Sequence, residues 1–434
     1  MAYNMTYIPQ QILEKSAFGE LSVANKEAQV QMRFPYNIIP IDIGQVLTNK
    51  SGSAVTASDG NAIVTCSSTA ESFSQLLTLD TVRYSPGQGC EFLGTCAFTE
   101  GVANSSQVFG MGDDDEGFFF GYNGADFGVL RRSSGSLEIK SLEITAGASS
   151  GGNITITIDD TAVTVAVLTS DTIAQVVAKI VAASADFLNA GRGWEVHTDD
   201  NVSVEFISLV AENATGTFSF VDTDSTGVTA GAFSEPVAGA APTESWVAQA
   251  DWNVDKMDGT GPSGMTLDPT KGNVYRIQFQ YLGYGSICFC VENQFTGEFQ
   301  SVHNLSYANQ NTVPTLQDPT MHLTLIAKTE SGYTGGALVM KTASMSGFSQ
   351  GGISREGVRR STSQNKSMTT TEQVIMVLHN ELDFNGKKNK ITVWPDFMSF
   401  GSESAKTTTL RLYKNPTEIT GGAALTDIEA GVSV

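Results

Sequence analysis

The 434-residue chain carries 46 acidic against 25 basic residues, a formal net charge of −21, so its surface repels phosphate backbones and nucleic acid is not an expected partner. Charged residues make up only 16% while apolar ones reach 41% and glycine occupies 43 positions, the composition of a globular, mainly β chain of short strands and tight turns. No window approaches 18 uninterrupted apolar residues, and the start MAYNMTYIPQQILEK lacks a basic segment ahead of an apolar one, so neither a membrane span nor a signal peptide is expected.

Residues 1–40 read as an irregular arm, because Ile12, Leu13, Ala17 and Leu21 have helix-compatible spacing but Pro9, Gly19 and Pro35 interrupt any long element. It either docks elsewhere or packs as a strand and loop on the adjoining domain. Over 41–140 the pattern turns to short strands at 62–66, 73–79, 90–98 and 107–111, followed by a hairpin in which two aromatic-rich runs, 118–122 and 127–130, flank Asn123-Gly124-Ala125-Asp126. Residues 141–240 break this series and read as an inserted α/β unit. Its strands fall at 142–146, 154–158 and 162–167, then at 194–197, 203–209 and 217–222. Between the two sets Ser170-Asp171-Thr172 can cap a helix whose Ile173, Val176, Val177, Ile180 and Val181 share a face. The strand series resumes over 241–345, at 246–252, 273–282, 286–293, 298–303 and 321–328. Residues 346–370, rich in Ser, Gly, Gln and Thr, read as a linker, and 371–434 as a C-terminal β-module with strands at 373–379, 390–394 and 408–413.

Few residue patterns suggest chemistry. The five cysteines (Cys66, Cys90, Cys96, Cys288, Cys290) include no CxxC; Cys288 and Cys290 share one strand face, and buried free thiols in a reducing compartment are expected. Gly347-Phe348-Ser349-Gln350-Gly351 matches a nucleophile elbow, yet no helix follows and the downstream His379 precedes Asp383, the reverse of the usual order, so Ser349 is expected to be inert. Gly259-Thr260-Gly261-Pro262-Ser263-Gly264 fits a dinucleotide fingerprint but opens a turn instead of a helix. Asp113, Asp114, Asp115 and Glu116 concentrate four carboxylates that could hold a calcium ion, the one cofactor considered; otherwise they form a solvated acidic turn. The four histidines (His197, His303, His322, His379) show no ligand spacing. Trp246, Trp252, Tyr281 and Tyr284 are candidates to stack on sugar faces, with the alternative that they are core aromatics. Arg131, Arg132, Arg355, Arg359 and Arg360 are the basic spots, expected to pair with acidic neighbouring subunits.

Four segments carry a resemblance: SPGQG (85–89), TEGVANSSQ (99–107), QVFGMGDDDEGFFFGYNGADFGVLRR (107–132) and DGTGPSGMTLDPTKGNVYRIQFQYLGYG (258–285). Together they resemble virion fibre or decoration proteins of phages and large DNA viruses. NGKKNKITV and LRLYKNPT resemble the C-terminal module of the same proteins, which runs on further there, so the resemblance implies an incomplete chain. The resemblance implies a concanavalin/laminin-G-like jelly-roll sandwich interrupted by the insert. It also implies a non-enzymatic structural role in the virion after assembly in the host cytoplasm, with the arm docking on the particle. The implied partners are other virion structural proteins and the chain itself, as a homotrimer. A glycan-recognising, receptor-binding lectin that contacts host-surface glycan is the alternative. An enzyme would need facing carboxylates or a base beside Ser349, and the sequence displays neither.

Overall fold

The computed structural model describes residues 26–38, 44–198 and 200–352, with short stretches between 367 and 411. Two compact units emerge, one built from 1–137, 209–213 and 239–354 and the other from 138–208, 214–238 and 355–434.

The first unit is a two-sheet sandwich. Its six-stranded sheet runs in the order Lys26–Arg33, Ser344–Gln350, Cys90–Cys96, Asn273–Phe279, Ile287–Glu292 and Phe299–Leu305. The seven-stranded sheet runs Thr243–Ala248, Asp126–Ser133, Gly117–Asn123, Ser105–Gly112, Leu323–Thr329, Phe73–Thr78 and Gly44–Thr48. All pairings are antiparallel, and strands distant in sequence become neighbours, which makes the unit a concanavalin-like jelly roll. Every second side chain of each sheet meets the other sheet, so Phe92 lies 5.0 Å from Phe109 and Phe120 lies 4.8 Å from Tyr275 and 5.4 Å from Phe289, ring to ring. Each such ring stabilises the fold by about 1.5–3 kcal/mol through burial. The seven-stranded sheet is buried on its other face too, since Phe119, Leu130 and Ile326 point away from this core and are still buried. That double burial is why its central strands read as continuous apolar runs instead of alternating. A third sheet, Leu338–Thr342, Asn61–Cys66 and Ala54–Ser58, completes the unit.

One alternative read from sequence is realised, a strand of the arm packed on its own sandwich, and one boundary, that of the linker, is corrected. Residues 26–33 of the presumed arm form a sheet strand, and the presumed linker opens with Ser344–Gln350, inserted between that strand and Cys90–Cys96. Gly347 is required there, because a Cβ would sit 2.1 Å from the Val82 side chain. Ser349 is buried on this strand and its hydroxyl faces the Gly351 carbonyl at 3.4 Å, so the context is an interior strand and not a turn before a helix. Residues 1–25 and 39–40 of the arm, the linker arginines Arg355, Arg359 and Arg360, and most of the C-terminal module lie outside the described residues. In that module the described pairs are Asp383 with Lys388 and Phe384 with Lys387.

The second unit contains the strands and helix foreseen for the insert. Ile139–Ala146 lies between Ser203–Ser208 and the short strands Thr229–Ala230 and Ser234–Val237, and a separate ladder joins Thr161–Val167, Gly152–Ile158 and Ser219–Val221. Helix Ile173–Ala182 starts at Thr172, whose side chain and that of Gln175 close a reciprocal capping box, and it buries Val176, Val177 and Ile180. At the outer ends of this segment Ser136 and Ala240 of the first unit form a bridge, exchanging both backbone hydrogen bonds at 2.9 Å.

Candidate functional site

The acidic loop is not arranged around a cation. Asp113, Asp114, Asp115 and Glu116 are all buried, and Asp113 Oδ1 and the oxygens of Asp114 and Glu116 face protein donors. Asp113 accepts the N–H groups of Asp115 and Glu116 through Oδ1, tightening the turn. Asp114 accepts Arg132 Nη1 at 2.8 Å, Lys328 Nζ at 3.3 Å and the Ala211 N–H at 3.0 Å. Glu116 accepts the backbone N–H groups of Ser134 and Gln317 on one oxygen and of Asp318 on the other, at 2.8–3.0 Å. Among the described residues no group of three or more His, Cys, Asp or Glu side chains is placed to hold a metal ion. The loop, read from sequence as a possible calcium site or else a solvated acidic turn, is instead a buried structural staple, and the expectation that Arg132 serves a neighbouring subunit is corrected with it. Arg132 is fully buried, clamped between Asp114 and Glu244 and lying over the Phe119 ring. Burial works against its charge, and the two carboxylates more than offset that.

The four candidate aromatics separate. Trp252 belongs to the core, edge-on to Phe120 and Phe127 at 6.3 and 6.2 Å, which removes it from any sugar-binding face. Trp246 stands half-buried on the edge strand Thr243–Ala248, its indole N–H donating to Glu244. Tyr281 and Tyr284 remain at one rim of the sandwich, on the loop between strands Asn273–Phe279 and Ile287–Glu292.

That rim brings together side chains far apart in sequence. Gly285 closes the loop on the Tyr281 carbonyl at 2.8 Å, and any Cβ there would lie 1.8 Å from the Gln280 carbonyl oxygen, so the tight path depends on glycine. Tyr84 packs edge-on to Tyr281 at 5.2 Å, and its hydroxyl accepts the Leu282 N–H at 3.0 Å. The Tyr281 hydroxyl donates to the Leu316 carbonyl at 2.5 Å. Burial, together with the negative charges of Glu116 and Asp318, pushes its phenol up to about 12, so it stays a donor across the ordinary pH range. Tyr284, 37% exposed, inclines over Tyr307 at 6.2 Å, and the Arg131 guanidinium covers the Tyr307 ring at 5.1 Å. Leu282 and Val313 are exposed on the two loops beside it, at 56% and 64%. The rim thus presents a partly exposed ring with apolar flanks, fixed from behind by hydrogen-bonded tyrosines and bordered by Arg131 and Asp318.

Tyr84, Tyr307, Arg131 and Asp318 were not foreseen as one site, because only the strand order makes them neighbours. The signal available in sequence was the tyrosine beside the SPGQG turn.

No protein-family model matches the chain, and neither does any curated relative. Similar solved structures include the catalytic domain of an endo-1,3-beta-glucanase (laminarinase) from Thermotoga petrophila, at 9% identity and TM-score 0.35, covering 75% of this chain and 98% of that one. A glycosyl hydrolase family protein from Mycobacterium fortuitum follows at 9% identity and TM-score 0.34, covering 74% and 99%. Lectin II from Ulex europaeus stands at 11% identity and TM-score 0.26, covering 75% and 100%. The expectation of a non-enzymatic virion structural protein is corrected by this finding, since the neighbours are glycosyl hydrolases and lectins. At such identities the likeness is one of fold, and function has to be argued from the rim itself.

Proposed function

We propose that the sandwich binds carbohydrate at the Tyr284 rim. The observation that supports this most directly is the partly exposed Tyr284 ring, held in place by its hydroxyl on the Thr312 carbonyl at 2.9 Å and by Tyr307 beneath it. A fixed aromatic face stacks on the apolar face of a pyranose, and bordering polar groups such as Arg131 and Asp318 hydrogen-bond its hydroxyls. Glycan hydrolysis at the same rim is a second reading, with Asp318, whose charge bears on the Tyr281 phenol, as its candidate carboxyl group; Glu116, buried with both oxygens on backbone N–H groups, is not available to it. Glycosidases work through a pair of carboxyl groups flanking the scissile bond.

One experiment addresses both readings. Titration calorimetry with soluble β-1,3-glucan and a glycan array should give binding that Tyr284→Ala weakens at least tenfold, and reducing-end release should be lost in Asp318→Asn while binding survives. Absence of binding to every glycan tested, or binding indifferent to Tyr284→Ala, would overturn the proposal.

A further inference from the structure

The face of the six-stranded sheet that points away from the core carries a second group of reactive side chains. Along strand Ile287–Glu292 the core takes Ile287, Phe289 and Val291, so Cys288 and Cys290 alternate onto the opposite face. Their sulfurs are 3.5 Å apart. The neighbouring strand Phe299–Leu305 is bulged, with Phe289 opposite His303 and Cys290 opposite Ser301, and the Ser301 hydroxyl stands 3.4 Å from the Cys288 sulfur. On the other side Cys290 faces Arg276, whose Nη2 lies 3.6 Å from the Cys290 sulfur and whose guanidinium rests on the Phe299 ring at 4.7 Å. Cys288 is half-buried and Cys290 buried, both as free thiols.

We propose that Cys288 and Cys290 form a nucleophile and resolver pair that exchanges with small organic disulfides. The Cys288 thiolate attacks one sulfur of the disulfide, forming a mixed disulfide and expelling the first thiolate. Cys290 gives its proton to solvent, attacks the Cys288 sulfur and expels the second. The two protein thiols are thereby oxidised by two electrons and one small disulfide is reduced to two thiols. The roles follow from the surroundings. The hydrogen bond from the Cys290 thiol, helped by the Ser301 hydroxyl and the Arg276 charge, outweighs burial and pushes Cys288 down to about 6, whereas Cys290 is raised. Cys66 and Cys90, which lack such a setting, are pushed up to about 12 by burial. A cationic guanidinium beside the sulfurs favours thiolate and opposes a metal cation, and two thiols fall short of the four ligands of a structural zinc site. Residues two apart on a strand are separated by about 6.8 Å, at the upper end of the Cα spacing a disulfide spans, so the closed form should reopen readily under a thiol reductant.

Ellman's aromatic disulfide is a suitable probe on the folded full-length chain. The parent should release two thionitrobenzoate equivalents in its fast phase, with peptide mapping showing a Cys288–Cys290 link and no retained adduct. Cys290→Ser should release one equivalent and keep the adduct on Cys288, and Cys288→Ser should lose the fast phase. Graded-pH alkylation of the unmodified parent, comparing Cys288 with Cys90 by mass spectrometry, does not depend on the variants folding. Labelling of Cys288 no earlier than Cys90, or a stable adduct on parental Cys288 with no link to Cys290, would overturn the proposal.

Discussion

Replacing Arg132 by alanine should be among the most damaging single changes to the sandwich. The guanidinium donates to Glu244 Oε1 from Nε and Nη2 at 2.9 and 2.7 Å, and Nη1 reaches Asp114 Oδ1 at 2.8 Å and the Asp113 carbonyl at 3.1 Å. Glu244 is 33% exposed and rehydrates when its partner goes, so that half of the clamp costs little. Asp114 is 3% exposed and cannot do the same. Removing one partner of a buried pair costs roughly 3–5 kcal/mol, and because Asp114 keeps Lys328 at 3.3 Å and the Ala211 N–H, the lower end of about 3 kcal/mol applies. For a unit of this size that corresponds to a fall in Tm of roughly 6–12 °C. Urea and thermal unfolding of Arg132→Ala, followed by tryptophan fluorescence, would measure it, with Glu244→Gln as the control that should stay within about 1 kcal/mol of the parent. In a Lys328→Met background the loss should grow towards the top of the range. An Arg132→Ala protein as stable as Glu244→Gln would show that water reaches Asp114 and that the loop is not the buried staple described above.

Two further outcomes follow from the geometry. Burial holds the His303 imidazole below its ordinary value, so its neutral form, accepting the Asn253 N–H on Nδ1, is the folded one. A depressed folded pKa contributes stability that is complete above the unfolded value near 6.5 and is lost as pH falls through the folded value; denaturant unfolding across that window should show the loss, and His303→Gln should flatten it. Gly285→Ala should force open the loop that carries Tyr281 and Tyr284, costing roughly 1–3 kcal/mol and weakening glucan binding by calorimetry, whereas a parent-like affinity would separate the rim from that turn.

The mainly β architecture was legible because strand-length apolar runs alternate with Gly, Asp and Asn turns, and the insert stood out because its helix repeats at 3.6 residues with a capping box at Thr172. What escaped was set by tertiary context. SMSGFSQ has the composition of a linker, yet partners on both sides make it a strand, and its small residues are what the close packing on Val82 requires. Trp252 and Trp246 could not be told apart by type, since only the sandwich decides which indole meets Phe120. The carboxylates from Asp113 to Glu116 looked like ligands because their donors, Arg132, Lys328, Ser134 and Gln317, lie up to 214 residues away or belong to the backbone. The rim of Tyr84, Tyr281, Tyr284 and Tyr307 was half visible for the same reason: two loops and a turn converge only once the sheets form.

The paired ends of the excursion bear on how the chain folds. Strands Asp126–Ser133 and Thr243–Ala248 are direct neighbours, matched from Ser133 with Thr243 to Gly128 with Ala248, as in a hairpin whose tip has been replaced by a long detour. Closing so long a loop in place of a short turn adds roughly 3 kcal/mol of chain entropy if the detour is a random coil. The detour's own first and last strands also pair, Ile139 with Val237. Once it has folded, the length that must be searched shrinks to a few residues. If the excursion folds first, it acts as the turn that registers two sandwich strands, and a core lesion inside it is then expected to slow sandwich refolding measured by stopped-flow fluorescence, whereas an unchanged refolding rate would refute that order.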